Sequence, residues 1–430
     1  MFPFPNLILA IPLLLAQAFA PAAQAYRGDA DEPPTPYGLN YYDSALIAAP
    51  EMEQRLLRSA PEAQAFRMAA EQAELEGGAY GAGLGETLLA EAYYLADRGD
   101  YEGAIKGARR GLHVMRINEG LHDAGQMPVV KKLTEWYLLS GDTEAADDAW
   151  HYRNFLARRN WPAGSGPAIV EQAAYADWVL KLWLENTSEL RKRVFHLYRE
   201  LDEQRRAVLL ERDPDVDNVL QLTYAQLGFL YAVSQAEFGP ELDFANNYGR
   251  GYANDPLQDQ LSSEDRQLKL LRDMGYQRGL ALLQESLDWL ARRPQPAADA
   301  QVQILLQLGD WHIWNDRHQR ALEHYQRAWE LSGPIGSNAM PPVELPSKPW
   351  FYRPDVSPRG SSGAVDVNVQ LDIAANGRVT AADVANADVE LPGANRLRRW
   401  LRGALYRPRL EAGKPVPLQG LQRSYRIQED

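Results

Sequence analysis

At 430 residues, 45% of them hydrophobic, the chain is long enough for two or more domains with sizeable cores. Its formal charge of −13 argues against a nucleic-acid-binding body, because phosphate recognition needs a basic face. The absence of cysteine excludes disulfides, thiolate zinc sites, iron–sulfur clusters, cysteine nucleophiles and a lipoprotein cysteine.

The N-terminus carries the localisation signal. Leu7 to Ala20 is an apolar run of fourteen residues, followed by small-x-small sites at Ala18-Phe19-Ala20 and Ala23-Gln24-Ala25. That length and ending are those of a secretory signal peptide over 1–25, too short for an ordinary membrane span. No Lys or Arg precedes Leu7, and an uncleaved anchor is the alternative. The expectation is therefore a periplasmic protein with no stable membrane insertion; the alternative faces the periplasm from the inner membrane. Residues 26–50, rich in Pro, Gly, Asp and Tyr, read as an irregular N-terminus.

From 51 to 334 the pattern is helical. Apolar residues recur at three- and four-residue steps, as in Leu88, Ala92, Leu95 and in Leu133, Trp136, Tyr137. Gly99-Asp100, Gly141-Asp142, Trp161-Pro162, Asp213-Pro214 and Arg293-Pro294 punctuate it into hairpins. In the Gly-Asp pairs, Gly suits a left-handed C-cap and Asp the next N-cap. Residues 305–334 carry Leu305, Leu308-Gly309, Ala321, Tyr325, Ala328 and Pro334; residues 224–231 carry Tyr224, Leu227-Gly228 and Tyr231. Residues 84–111 and 130–150 carry weaker versions around their Gly-Asp turns.

These residues resemble the tetratricopeptide repeat, which implies an α-solenoid of stacked helix pairs that binds other proteins. In that pattern Gly228 and Gly309 allow close helix approach, and Tyr231, Tyr325 and Trp150 fill the space between hairpins. The array is irregular. Gly99 and Gly141 lie 42 residues apart, against a usual period of about 34, and 169–211 is helical without the motif. Ligands of such repeats lie against the inner face of each first helix, which by motif position includes Tyr93, Glu135, Phe229, Asp310 and Trp314.

Residues 335–362, rich in Pro, Gly and Ser, read as an extended linker. The charge then changes sign. Residues 363–430 hold ten Lys/Arg and eight Asp/Glu, a balance of +2, so that 1–362 carry −15. Val365, Val367, Val369, Leu371 and Ile373 alternate as a half-buried strand. Asn376-Gly377 marks a hairpin turn, Val379–Val389 the return strand, Leu391–Leu405 a basic amphipathic helix and Leu418–Ile427 a third strand.

With Asn376-Gly377-Arg378-Val379, Arg398-Arg399-Trp400, Tyr406-Arg407-Pro408 and Gly413-Lys414-Pro415-Val416 in that order, this segment resembles the TonB C-terminal domain family. The fold class expected is thus mainly α, an irregular solenoid followed by a small strand–strand–helix–strand α+β domain. The resemblance implies partners among cell-envelope proteins, with outer-membrane transporters the class suggested. Docking would be by strand addition at 418–427, with Arg399, Arg423 and Tyr425 as contact candidates. A TonB-like energy transducer with a retained anchor is the competing reading. With the linker between them, deletion of 363–430 is expected to leave a folded helical part.

No chemistry beyond binding stands out, and neither a catalytic site, a cofactor nor a metal is expected. His312 occupies the repeat's Tyr slot, and His318 and His324 follow without HExxH spacing, which reads as packing. Gly81-Ala82-Gly83-Leu84-Gly85 lacks the strand and lysine of a phosphate loop. Asp142, Glu144, Asp147 and Asp148 read as a solvated face. Arg396, Arg398, Arg399 and Arg402 form a basic helix face, either solvated or in contact with an anionic partner.

Overall fold

The computed structural model describes residues 61–185, 190–211, 213–234, 263–294, 297–332, 342–345, 364–384 and 392–428. The signal-peptide reading and the irregular N-terminus lie outside them. The chain is mainly helical, with thirteen α-helices among the described residues and a small sheet region near the C-terminus. It divides into two units at Ala163 and Gly164.

The first unit holds α1 (Pro61–Gly77), α2 (Ala82–Ala96), α3 (Tyr101–Asn118), α4 (Met127–Leu139) and α5 (Thr143–Asn160). Both of its Gly-Asp turns have the expected geometry. Gly99 and Gly141 lie at φ +80° and +81°. The Asp100 carboxylate accepts from the Gly103 N–H at 2.9 Å, and Asp142 from Ala145 at 3.0 Å, each satisfying an orphan donor of the following helix. Asp142 and Glu144 thus sit at the positive end of α5, where carboxylates are stabilised. The glycines at 83 and 85 fall inside α2. A β-carbon at Gly111 of α3 would come within 3.0 Å of Leu89, so α2 and α3 pack almost backbone to backbone. Leu89, Ala92, Ala104, Ala108, Leu112, Val130, Leu133 and Leu156 form the core.

The second unit begins with α6 (Gly166–Glu185), α7 (Arg191–Leu209) and α8 (Val216–Ser234). There follow α9 (Ser263–Asp273), α10 (Gly275–Ala291), α11 (Ala298–Trp314) and α12 (His318–Ser332). Helices α9 and α10 are separated by Met274 alone. Helix α8 is apolar nearly all round and is correspondingly buried, as such a helix must be. Its polar side chains pair inside the unit. Thr223 and Ser286 hydroxyls are 3.0 Å apart, and buried Arg205 donates to Gln226 at 3.0 Å and to Glu285 at 2.6 Å.

Glycine's role splits from the motif reading. At Gly309 a β-carbon would clash with Cε1 in the ring of Tyr325, so the α11–α12 approach depends on the glycine. At Gly228 the nearest atom is Leu180 Cδ1 at 3.7 Å, ordinary contact, so the close approach expected there is absent. Gly279 of α10, which no motif singled out, instead receives the indole of Trp311.

The sheet region contains β1 (Val343–Glu344), β2 (Ala364–Ile373), β3 (Val379–Val384), α13 (Pro392–Gly403), β4 (Tyr406–Arg407), β5 (Arg409–Glu411), β6 (Lys414–Val416) and β7 (Leu418–Gln428). The main sheet is antiparallel in the order β3-β2-β7. Val367, Val369, Leu371 and Ile373 turn to one face and bury against Leu397, Trp400 and Leu401 of α13, as alternation requires. The β2–β3 turn closes with Gly377 alone in the left-handed region, at φ +81°, while Asn376 accepts from the Arg378 N–H at 3.1 Å.

Two features had no counterpart in the sequence reading. Within the stretch read as linker, β1 pairs antiparallel with β4, with Val343 opposite Arg407. A second hairpin, β5–β6, turns on Ala412 and Gly413, both at positive φ.

Candidate functional site

The sheet region rests on α11 and α12. At the centre is Asp310, a carboxylate in the interior of an apolar helix with 0% exposure. Arg407 Nε donates to its Oδ1 at 2.8 Å, Arg407 Nη2 donates to Oδ2, and the Tyr325 hydroxyl donates to Oδ1 at 2.9 Å. A fork of two parallel bonds is the strong form of the carboxylate–guanidinium pair, and in a dry site each charge depends on the other. Burial first, and then the Asp310 charge, pushes the Tyr325 phenol well above its ordinary range, so it stays a donor. Tyr224 of α8 is raised by burial as well, with Arg407 opposing and Asp310 adding to the shift.

Around this pair the contacts are tight. The Tyr406 hydroxyl donates to Glu344 at 3.1 Å, and Arg378 meets Asp316 at 3.2 Å. Gly377 lies beneath the Tyr406 carbonyl and beside Ile313. A β-carbon at Gly413 would come within 3.0 Å of Gln326 and Trp329 on α12.

Three of the residues expected on an inner binding face are therefore interior. Asp310 is taken by Arg407. Phe229 is at 0% exposure beside Tyr198, with ring centroids 6.1 Å apart. Trp314, at 2%, stacks on Trp311 at 5.6 Å, and Tyr231 packs edge-on against both. As contacts for another chain they are corrected: the helix faces that motif position assigns to a ligand are here packed into the core of the unit.

Tyr93 and Glu135 of the first unit keep partial exposure. Tyr93 packs edge-on to Trp136 at 5.4 Å. Burial, then the nearby Glu135 charge, pushes its hydroxyl up to about 12. Glu135 accepts from Lys132 at 2.7 Å.

The remaining candidates lie on the sheet region. Arg399 is exposed on α13, as is Arg402, opposite the Leu397–Leu401 face. Arg423 and Tyr425 lie in β7, opposite Val369 and Val367 of β2. Strand β7 is an edge of the sheet, and among the described residues no strand pairs with its outer side. Such an edge presents a row of backbone donors and acceptors able to take one more strand. Near its start, Gly420 at φ +74° gives its N–H to Asp372 at 2.9 Å, which pins the local irregularity in register.

Among the described residues no group of three or more His, Cys, Asp or Glu is placed to hold a metal. His312 and His324 stack at 5.1 Å, nearly parallel, instead of converging. The surface depression at Asp213–Asp217 is spanned by Arg293, which donates to the Pro214 carbonyl at 2.7 Å. No family model matches the chain, and no curated protein matches it either.

Proposed function

We propose that the chain is an exported, non-catalytic adaptor that holds partner proteins of the cell envelope. Its helices form an irregular tetratricopeptide-type solenoid, and residues 363–430 form a TonB C-terminal-like unit that docks an extended partner segment by strand addition. One observation carries this reading: the outer edge of β7, eleven residues long, has no strand beside it among the described residues. In the first unit, Tyr93 and Glu135 remain the candidates for a second contact.

A photo-crosslinking side chain at exposed Gln422, on the β7 edge, is expected to capture an envelope protein. The same group at Asp383 on β3 should not. Equal capture at both positions, or none at Gln422, would sink strand addition. Mass spectrometry of the mature N-terminus tests export separately. A chain starting near Tyr26 is expected; one still starting at Met1 in the membrane fraction would favour the anchored transducer instead.

A further inference from the structure

Helices α11 and α12 meet through two imidazoles. His312 is 2% exposed and stacks on His324, with centroids 5.1 Å apart and planes 16° from parallel. From α10, the Tyr276 hydroxyl lies 3.2 Å from His312 Nδ1. Cations already surround the pair. Arg317 lies over the Tyr276 ring at 4.3 Å, and Arg320 donates to the Tyr276 hydroxyl at 3.4 Å. Burial first, then His324, Arg320 and Arg317, act against a proton on His312; on His324 burial and then Arg327 oppose one, while Glu323 favours it. Nδ1 of His324 is buried with no hydrogen-bond partner among the described residues.

We propose that the stacked His312–His324 pair is an acid-sensitive latch, whose protonation opens the α11–α12 hairpin and unseats the C-terminal sheet region resting on it. Two stacked cations at this distance, with three arginines near and His312 buried, repel one another and strain the contact. The sheet region touches both of these helices. Gly413 lies on Gln326 and Trp329, and Arg407 on Asp310, two residues before His312.

The sign follows from linkage. Burial, then the neighbouring charges, pushes His312 down to about 4, and His324 is lowered too. The open state, with ordinary imidazoles, therefore binds more protons. Stability is intact above about 6.5 and is lost as pH falls toward 4.

Hydrogen–deuterium exchange of the full chain, corrected for intrinsic exchange rates, reads this directly. The opening equilibrium of 298–332 is expected to rise about ten- to a hundredfold per pH unit below 6.5, the linkage slope for one to two extra protons, and 405–416 should open with it. The variant His312→Asn/His324→Gln should lose that dependence. A pH-independent wild type, or a variant that keeps the slope, would overturn the proposal. Should the variant not fold, NMR titration of the wild-type imidazoles decides: a midpoint for His312 well below 6 supports the latch, and an ordinary one near 6.5 overturns it.

Discussion

Arg407→Met is expected to destabilise the chain by about 3–5 kcal/mol, the scale for removing one partner of a buried ion pair. The loss has two parts. The Asp310 carboxylate stays at 0% exposure and loses its guanidinium fork, and the β4 strand loses this tie to α11. Replacing the whole polar cluster, as Asp310→Leu/Arg407→Met/Tyr325→Phe, should recover most of the loss, because apolar packing of similar volume often matches a buried pair. Urea unfolding of the wild type and these two variants makes the comparison. A single variant within about 1 kcal/mol of wild type would show the pair to be energetically idle, like many exposed ones.

The same geometry changes what deletion of 363–430 should do. The sequence suggests two parts joined by a linker, so that the helical part would remain folded alone. In the structure, a chain without the C-terminal residues keeps Asp310 and loses Arg407. It also bares the faces of α11 and α12 at Ile313, Gln326 and Trp329. Such a truncation should be at least as unstable as Arg407→Met.

The second large effect concerns two glycines at equivalent motif positions. Gly309→Ala should destabilise by about 1–3 kcal/mol or more, the range for overpacking. The new methyl would clash with Cε1 of Tyr325, and that ring cannot step aside while its hydroxyl is held by Asp310. Gly228→Ala should do the opposite. Its methyl meets Leu180 at 3.7 Å, and Gly in mid-helix costs about 0.5–1 kcal/mol relative to Ala. Thermal unfolding of both variants gives a sign test: equal shifts in the same direction would contradict the packing described.

Local physics made much of the fold legible. The Gly-Asp caps act within four residues, so Gly99-Asp100 and Gly141-Asp142 announced their helix boundaries. Period-two alternation from Val365 to Ile373 named β2 and its buried face. What stayed hidden is long-range. Asp310 and Arg407 are 97 positions apart, and nothing near either one names the other.

One trace was present. Asp310 stands between Gly309 and Trp311 in a mostly apolar segment from Ile304 to Trp314, where it is the one carboxylate, and a charge in such a run must find a partner or cost several kcal/mol. Read as a ligand contact, it pointed outward when it should have pointed to the chain's own C-terminus. The short strands β1, β4, β5 and β6 were missed for a related reason: two or three residues cannot display a period, and each exists because of what it pairs with.

That 97-residue separation also has a meaning in time. A ribosome adding about 5–20 residues per second leaves roughly 5–20 s between the appearance of Asp310 and that of Arg407. Throughout that interval α11 can form its backbone bonds, but its aspartate lacks the Arg407 guanidinium. The final hairpin must therefore wait, hydrated and incompletely packed, for the last part of the chain to arrive. Closing so large a loop adds its own entropic delay. The nascent protein is thus most vulnerable to aggregation and proteolysis late, when most of its helices are already made, and Arg407 is the residue whose arrival ends the exposure.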